Sequence, residues 1–164
     1  MSRLRVTVFV IAGLTVFLAG AAVAGRGPVW TRYANARFGF AIDYPAGTFV
    51  PERASDNGDG RRFKAIRGKA GFMVYAGYNP LKQTPRQFVE ETAKTCRNGR
   101  ASYAVTGKAW AVVSCERKGE VFYAKRLYLG DRMTSFQMTY PASERRRWDD
   151  ALARMAESLK PARR

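Results

Sequence analysis

AWAVVSCERKGEVFYAKRLYLGDRMTSFQMTY, residues 109–140, is the segment that decides the fold class of this chain. Apolar and polar residues alternate along it in three stretches, the pattern of half-buried strands: Ala109–Arg117, Glu120–Leu129 and Arg132–Tyr140. The links between these stretches are two residues long and contain a glycine. Links this short join antiparallel neighbours, because a parallel crossover needs about a dozen residues or more. The segment therefore predicts an antiparallel meander, preceded by a fourth strand at Tyr103–Thr106.

The residues before the meander add more strands and a helix. Residues 46–60 are predicted to be a loop, and two of the predicted strands form a hairpin through a tight turn. Thr84 and Pro85 fit the N-cap and first position of a helix that stops near Gly99. The three predicted strands are Phe38–Tyr44, Arg61–Arg67 and Gly71–Tyr78.

A second amphipathic helix follows the meander. Ser143 is its predicted N-cap, and Pro161 ends it. One face carries large apolar residues at helical spacing: Trp148, Leu152, Met155 and Leu159. The whole order predicts the α+β class, a mainly antiparallel sheet flanked by helices that bury their apolar faces on it.

The first 24 residues have the organisation of a secretory signal peptide. Arg3 and Arg5 precede an uncharged apolar run, Val6–Val23, which closes on Ala22-Val23-Ala24, an A-x-A cleavage site. An uncleaved membrane anchor is the alternative, because a spanning helix needs about 20 apolar residues. We therefore expect an exported protein, periplasmic or secreted. The expected organisation is a signal peptide at 1–24, a linker at 25–34, a single domain at 35–161 and a basic tail at 162–164.

Two cysteines, Cys96 and Cys115, lie 19 positions apart. In an exported chain an even number of cysteines first indicates a disulfide. The bond would join the end of the first helix to the strand Ala109–Arg117. Two free thiols, one of them reactive, are the alternative.

The charge is strongly positive and histidine is absent. The chain has 29 Lys and Arg against 13 Asp and Glu, a net charge of +16 that becomes +14 without the two arginines of the first 24 residues. This balance favours anionic partners such as nucleic acid, acidic glycans or lipid phosphates, or it serves solubility alone. The lack of histidine excludes Ser-His-Asp and Cys-His catalysis and zinc sites that use histidine.

Basic residues are densest in two places. The predicted hairpin carries five of them, split between the two faces of its first strand and the turn: Arg61, Arg62, Lys64, Arg67 and Lys69. The predicted last helix opens with Arg145, Arg146 and Arg147, which oppose the helix dipole unless an anion or neighbouring acids relieve them. These eight residues are the candidate anion-binding site. A solvated hairpin that protects a sheet edge is the alternative for the first cluster. A set of dispersed cations serves for comparison: Arg37, Lys82, Lys94, Arg117 and Lys160.

Other candidate sites fail on their spacing. Residues 55–60 resemble part of a calcium loop, but Ser55 and Ile66 stand where the loop needs an acid at each end. The adjacent acids Glu90-Glu91 and Asp149-Asp150 point in different directions on a helix, so neither forms a catalytic pair. We predict no catalytic residue, no metal site and no cofactor.

The chain resembles the PsbP/Mog1-like fold at its two ends. The segments that carry the resemblance are YANARFGFAIDYP at 33–45 and FQMTYP at 136–141 with the helix after it. NGDGRRF at 57–63 resembles an exported bacterial branch of unknown function. The resemblance implies an antiparallel sheet flanked by helices and a binding or accessory role without catalysis. Metal sites of the photosynthetic branch that use histidine cannot exist in this chain.

These observations lead to one expected function and two alternatives. We expect an exported, non-catalytic binding or accessory module of the cell envelope that engages an anionic partner, with non-specific polyanion binding. A hydrolase of an anionic envelope polymer that works without histidine is one alternative. A purely structural envelope protein is the other.

Overall fold

A computed structural model describes residues 27–161, so the predicted signal peptide and basic tail lie outside the described residues. Within that range neither helix is long and apolar enough to cross a bilayer. The strands and helices of this part of the chain are β1 Trp30–Asn35, β2 Phe40–Pro45, β3 Phe49–Pro51, β4 Gly60–Ala65, β5 Gly71–Tyr78, α1 Pro85–Ala93, β6 Tyr103–Thr106, β7 Trp110–Arg117, β8 Glu120–Leu129, β9 Arg132–Pro141, α2 Arg145–Ser158 and β10 Lys160–Pro161.

A large antiparallel sheet of seven strands runs in the order β3-β4-β5-β9-β8-β7-β6. The predicted meander is confirmed as β6 to β9, and the predicted hairpin as β4 and β5. The last strand of the meander pairs with β5, which joins the two units into one sheet. As a result, residues far apart in sequence share one face: Phe63, Phe72, Met138 and Tyr123 lie opposite one another in successive strands.

A second sheet of three short strands, in the order β1-β2-β10, corrects two expectations. The predicted linker at 25–34 is wrong over its second half, because residues 30–34 belong to β1 and pair with β2. Tyr33 explains this pairing, since its ring packs against Phe40 at 6.1 Å and Phe63 at 5.6 Å. The predicted loop at 46–60 also contains a strand, β3, which pairs with β4 at the edge of the large sheet.

The two faces of the large sheet are covered unequally. On the core face, the small sheet and α2 bury the main hydrophobic cluster, which includes Phe72, Phe136 and Trp148. On the opposite face, α1 lies only against β6 and β7, where Phe88 packs beside the two cysteines. The strands β4, β5 and β9 have no helix over them on that face. The predicted fold class, a mainly antiparallel sheet flanked by helices, is confirmed.

The two helices begin differently. Thr84 caps α1 as predicted, because its hydroxyl accepts a bond from Gln87 N and the Gln87 side chain accepts one from Thr84 N. The predicted N-cap Ser143 is wrong. It lies in a 3-10 turn, Ala142–Glu144, and α2 begins at Arg145 without a side-chain cap. Here the Glu144 carboxylate accepts a bond from the indole of Trp148 instead, at 2.8 Å.

Candidate functional site

The basic residues of β4 divide between the two faces of the large sheet, as their alternation predicts. Arg61 lies on the core face, like Phe63, whereas Arg62 and Lys64 lie on the opposite face. Lys64 is opposite Gly71, which is opposite Thr139 in β9. The two exposed cations therefore stand beside the part of the sheet that no helix covers.

That uncovered face forms an open groove of about 430 Å³, here called the basic groove. Arg62, Lys64 and Lys69 line it on the side of the hairpin, and Arg117, at the end of β7, lines it on the other. Its floor is made of small and polar residues of β5 and β9: Gly71, Gln137 and Thr139. Because Gly71 has no side chain, the floor remains low between the two groups of cations.

Arg117 is held in place by contacts near the disulfide. The predicted bond between Cys96 and Cys115 is confirmed, with both cysteines buried and their Cα atoms 5.8 Å apart. The Arg117 guanidinium lies over the Phe122 ring, 3.9 Å from its centroid. Its Nη1 also donates to Thr95 Oγ1 at 3.2 Å. The bond thus fixes the segment after α1 to β7, where this arginine is held.

The sequence-based comparison set placed Arg117 among the dispersed cations, and the structure corrects that assignment. Arg117 is 55 positions from Arg62 in sequence, yet both line the same groove. Only the pairing order of the large sheet brings them together. The signal in the sequence was its place at the end of a predicted strand, which by itself does not name the opposite wall.

Two smaller depressions adjoin the basic groove and share side chains with it. One, of about 580 Å³, lies beyond Arg117 and adds Arg97 and Lys118. The other, of about 300 Å³, lies beyond Arg62 and adds Arg53 and Arg61. Together the three depressions form a continuous band of cations across the sheet.

Carboxylates interrupt this band. Glu52 and Glu120 line the basic groove itself, and Asp59 lines the depression beyond Arg62. The groove therefore contains four cationic and two anionic side chains. Its field is positive but not uniform.

Three of the eight predicted residues line the basic groove, and Arg61 lies next to it. Arg61 is half-buried, and its Nε has no hydrogen-bond partner among residues 27–161. Arg67 is exposed in the turn between β4 and β5. The hairpin cations are thus only partly brought together.

The arginines at the start of α2 are not part of the groove lining. Arg145 pairs with Glu116 and Arg147 with Glu144, each at 3.4 Å, and Arg147 also lies over the Trp148 ring. Within the described residues Arg146 forms no ion pair. Neighbouring acids therefore relieve two of the three charges, as the alternative interpretation held.

Titratable groups with shifted pKa values lie on the other side of the sheet. Burial lowers the pKa of Lys125, whose Nζ donates to the carbonyl of Ala156 at 2.6 Å. Burial also raises the pKa of Tyr140, whose hydroxyl donates to Asp149 Oδ1 at 2.6 Å. Both groups already have a partner in α2, so these contacts hold the helix to the sheet.

The buried tyrosines predict a loss of stability at alkaline pH. Burial raises the pKa of Tyr123 to about 12 from its usual value of 10.0. The unfolded chain therefore releases this proton first, and the free energy of unfolding should fall between these pH values by up to about 1.4 kcal/mol per pH unit. Denaturant unfolding at several pH values should show a shallower fall in Tyr123→Phe. The control Tyr78→Phe changes an exposed ring and should keep the wild-type slope. Equal slopes for all three proteins would contradict this.

No protein-family model and no curated protein sequence matches this chain. The fold is similar to the solution structure of cyanobacterial PsbP (CyanoP) from Synechocystis, with a TM-score of 0.60 at 11% identity. That match covers 87% of this chain and 98% of the cyanobacterial one. A crystal structure from Bacteroides thetaiotaomicron matches with a TM-score of 0.54 at 13% identity, over 80% of this chain and 48% of that one.

The similarity to the cyanobacterial protein extends over most of both chains and agrees with the arrangement of sheets and helices described above. At such low identity it concerns the backbone and carries no site residue from one protein to the other. The chain has the PsbP-like fold.

Proposed function

We propose that this protein is an exported, non-catalytic binding module whose basic groove binds an anionic component of the cell envelope. The observation that carries the proposal is the convergence of cations from separate strands on one uncovered sheet face. A net charge of +16 attracts anionic partners over a longer range. The disulfide and the first 24 residues support export, since disulfides persist in oxidising compartments.

The placement of the carboxylates favours binding over hydrolysis. A hydrolase without histidine would use two carboxylates on one bond, about 5–10 Å apart in glycosidases. Glu52 follows β3 and Glu120 begins β8, so four strand spacings separate their backbones. Four spacings correspond to roughly 19 Å. The two groove carboxylates are therefore placed for separate contacts with a ligand.

The test is a comparison of two variants with the same net charge. The groove variant carries Arg62→Gln, Lys64→Gln, Lys69→Gln and Arg117→Gln; the control carries Arg37→Gln, Lys82→Gln, Lys94→Gln and Lys160→Gln. Exposed charge contacts contribute about 0.2–1 kcal/mol each. We therefore expect the groove variant to lose about tenfold more affinity for heparin than the control does. Titrations at low and high salt measure this, and thermal unfolding checks that both variants fold.

Two results would contradict the proposal. Equal losses in the two variants would mean that a diffuse field binds heparin, because the total charge changes equally in both. A wild-type protein without salt-sensitive binding would remove the anionic ligand altogether, since counterion release makes such binding weaken as salt rises.

A further inference from the structure

We propose that the ligand of the basic groove is an acidic polysaccharide, a chain in which carboxylate groups are separated by hydroxyl-bearing sugar units. This inference rests on the proposed function and names the class of its ligand. Three features of the groove carry it: its length, its mixture of charges and the chemistry of its floor.

The length of the groove calls for a chain rather than a single anionic group. Arg62 belongs to β4 and Arg117 to β7, which are four strand spacings apart in the order β4-β5-β9-β8-β7. Their backbones are therefore separated by roughly 19 Å. Since the groove continues into a further depression beyond each arginine, an occupant in contact with both walls is an extended molecule.

The charges in the groove select against a densely charged polymer. Glu52 and Glu120 stand among the four cations. A polyphosphate has an anionic group at every unit and would place some of them beside these carboxylates, which is unfavourable. A carboxylate side chain is instead a strong acceptor for hydroxyl donors. The alternation of cations and carboxylates fits a ligand in which anionic groups and hydroxyl groups alternate.

The floor of the groove also fits sugars better than nucleotides. Gln137 and Thr139 present polar groups, and the Gln137 amide donates to the hydroxyl of Tyr75 at 3.0 Å. Single-stranded nucleic acids are bound on exposed aromatic rings that stack on the bases. Here the aromatic ring nearest the Arg117 wall, Phe122, is buried and already covered by the Arg117 guanidinium.

The experiment uses the opposite effects that the two groove carboxylates should have on two probes. Hyaluronate, in which carboxylate-bearing and neutral sugars alternate, is the polysaccharide probe, and linear polyphosphate is the dense anion. The variant Glu52→Gln/Glu120→Gln removes both carboxylates and keeps similar volume. The matched control, Glu90→Gln/Glu91→Gln, changes two adjacent acids of α1 outside the groove.

The expected result is a change of opposite sign for the two probes. The groove double variant should bind hyaluronate several-fold more weakly, because hydrogen bonds to charged acceptors are lost. It should bind polyphosphate more tightly, because repulsion is removed. If hyaluronate binding is unchanged or tighter, the inference is wrong while the anion-binding groove stands. If wild type binds neither probe, the proposed function fails as well.

Discussion

Replacing Phe72 by alanine is expected to lower the free energy of unfolding by about 3–5 kcal/mol, the usual cost of removing a buried aromatic side chain. Phe72 is only 4% exposed and lies at the centre of the main hydrophobic cluster. Four other rings contact it: Phe63 stacks on it at 4.3 Å, and Phe49, Tyr44 and Phe136 lie at 5.0, 5.7 and 6.0 Å. The variant would leave a cavity between the two sheets.

Such a loss is a large fraction of the roughly 5–15 kcal/mol that stabilises an ordinary domain. Denaturant unfolding of Phe72→Ala against wild type measures it. Leu81→Ala is the control, because Leu81 is 91% exposed and its removal should change stability by no more than about 0.5 kcal/mol. A loss below about 1 kcal/mol in Phe72→Ala would show that the neighbouring rings close the cavity.

Local sequence patterns predict the large sheet well. The segment 109–140 alternates apolar and polar residues and turns at its glycines, so the strands and their antiparallel pairing follow from neighbouring residues alone. The structure agrees closely: the three strands are Trp110–Arg117, Glu120–Leu129 and Arg132–Pro141. Each hairpin is closed by a short turn, and its register follows from that turn.

The small sheet was only partly predicted, because its pairing is not local. Its last strand has two residues, Lys160 and Pro161, and pairs with Ala41 and Phe40 more than a hundred positions away. No periodicity can be read from two residues. The first strand, Trp30–Asn35, follows a Gly-Pro pair that is typical of a linker. Its aromatic side chains find their partners only once the large sheet is formed.

The candidate site shows the same division between local and long-range information. Alternation along β4 correctly places Arg62 and Lys64 on one face, because the period of two holds within a single strand. Arg117 escaped prediction because its place in the groove depends on β9 inserting between β5 and β8. Charge density along the chain is therefore a poor guide to the site, which is built from one dense cluster and one isolated arginine.

Removing the disulfide is expected to lower the free energy of unfolding by about 3 kcal/mol, since the bond closes a loop of 19 positions. For a domain of this size the melting temperature should fall by roughly 10 °C. The double variant Cys96→Ala/Cys115→Ala is compared with wild type by thermal and denaturant unfolding, without reductant. A loss below about 1 kcal/mol would show that the loop is already ordered without the bond.

The same variant separates the stabilising role of the disulfide from its role at the groove. Thr95, which accepts a bond from Arg117, directly precedes Cys96, so loss of the disulfide frees the segment that carries this contact. We expect weaker heparin binding by the double variant at a temperature where it is still folded. Thr95→Ala removes the contact to Arg117 and leaves the disulfide intact. If Thr95→Ala weakens heparin binding as much as the double variant does while keeping near-wild-type stability, the disulfide acts on the groove through the position of Arg117.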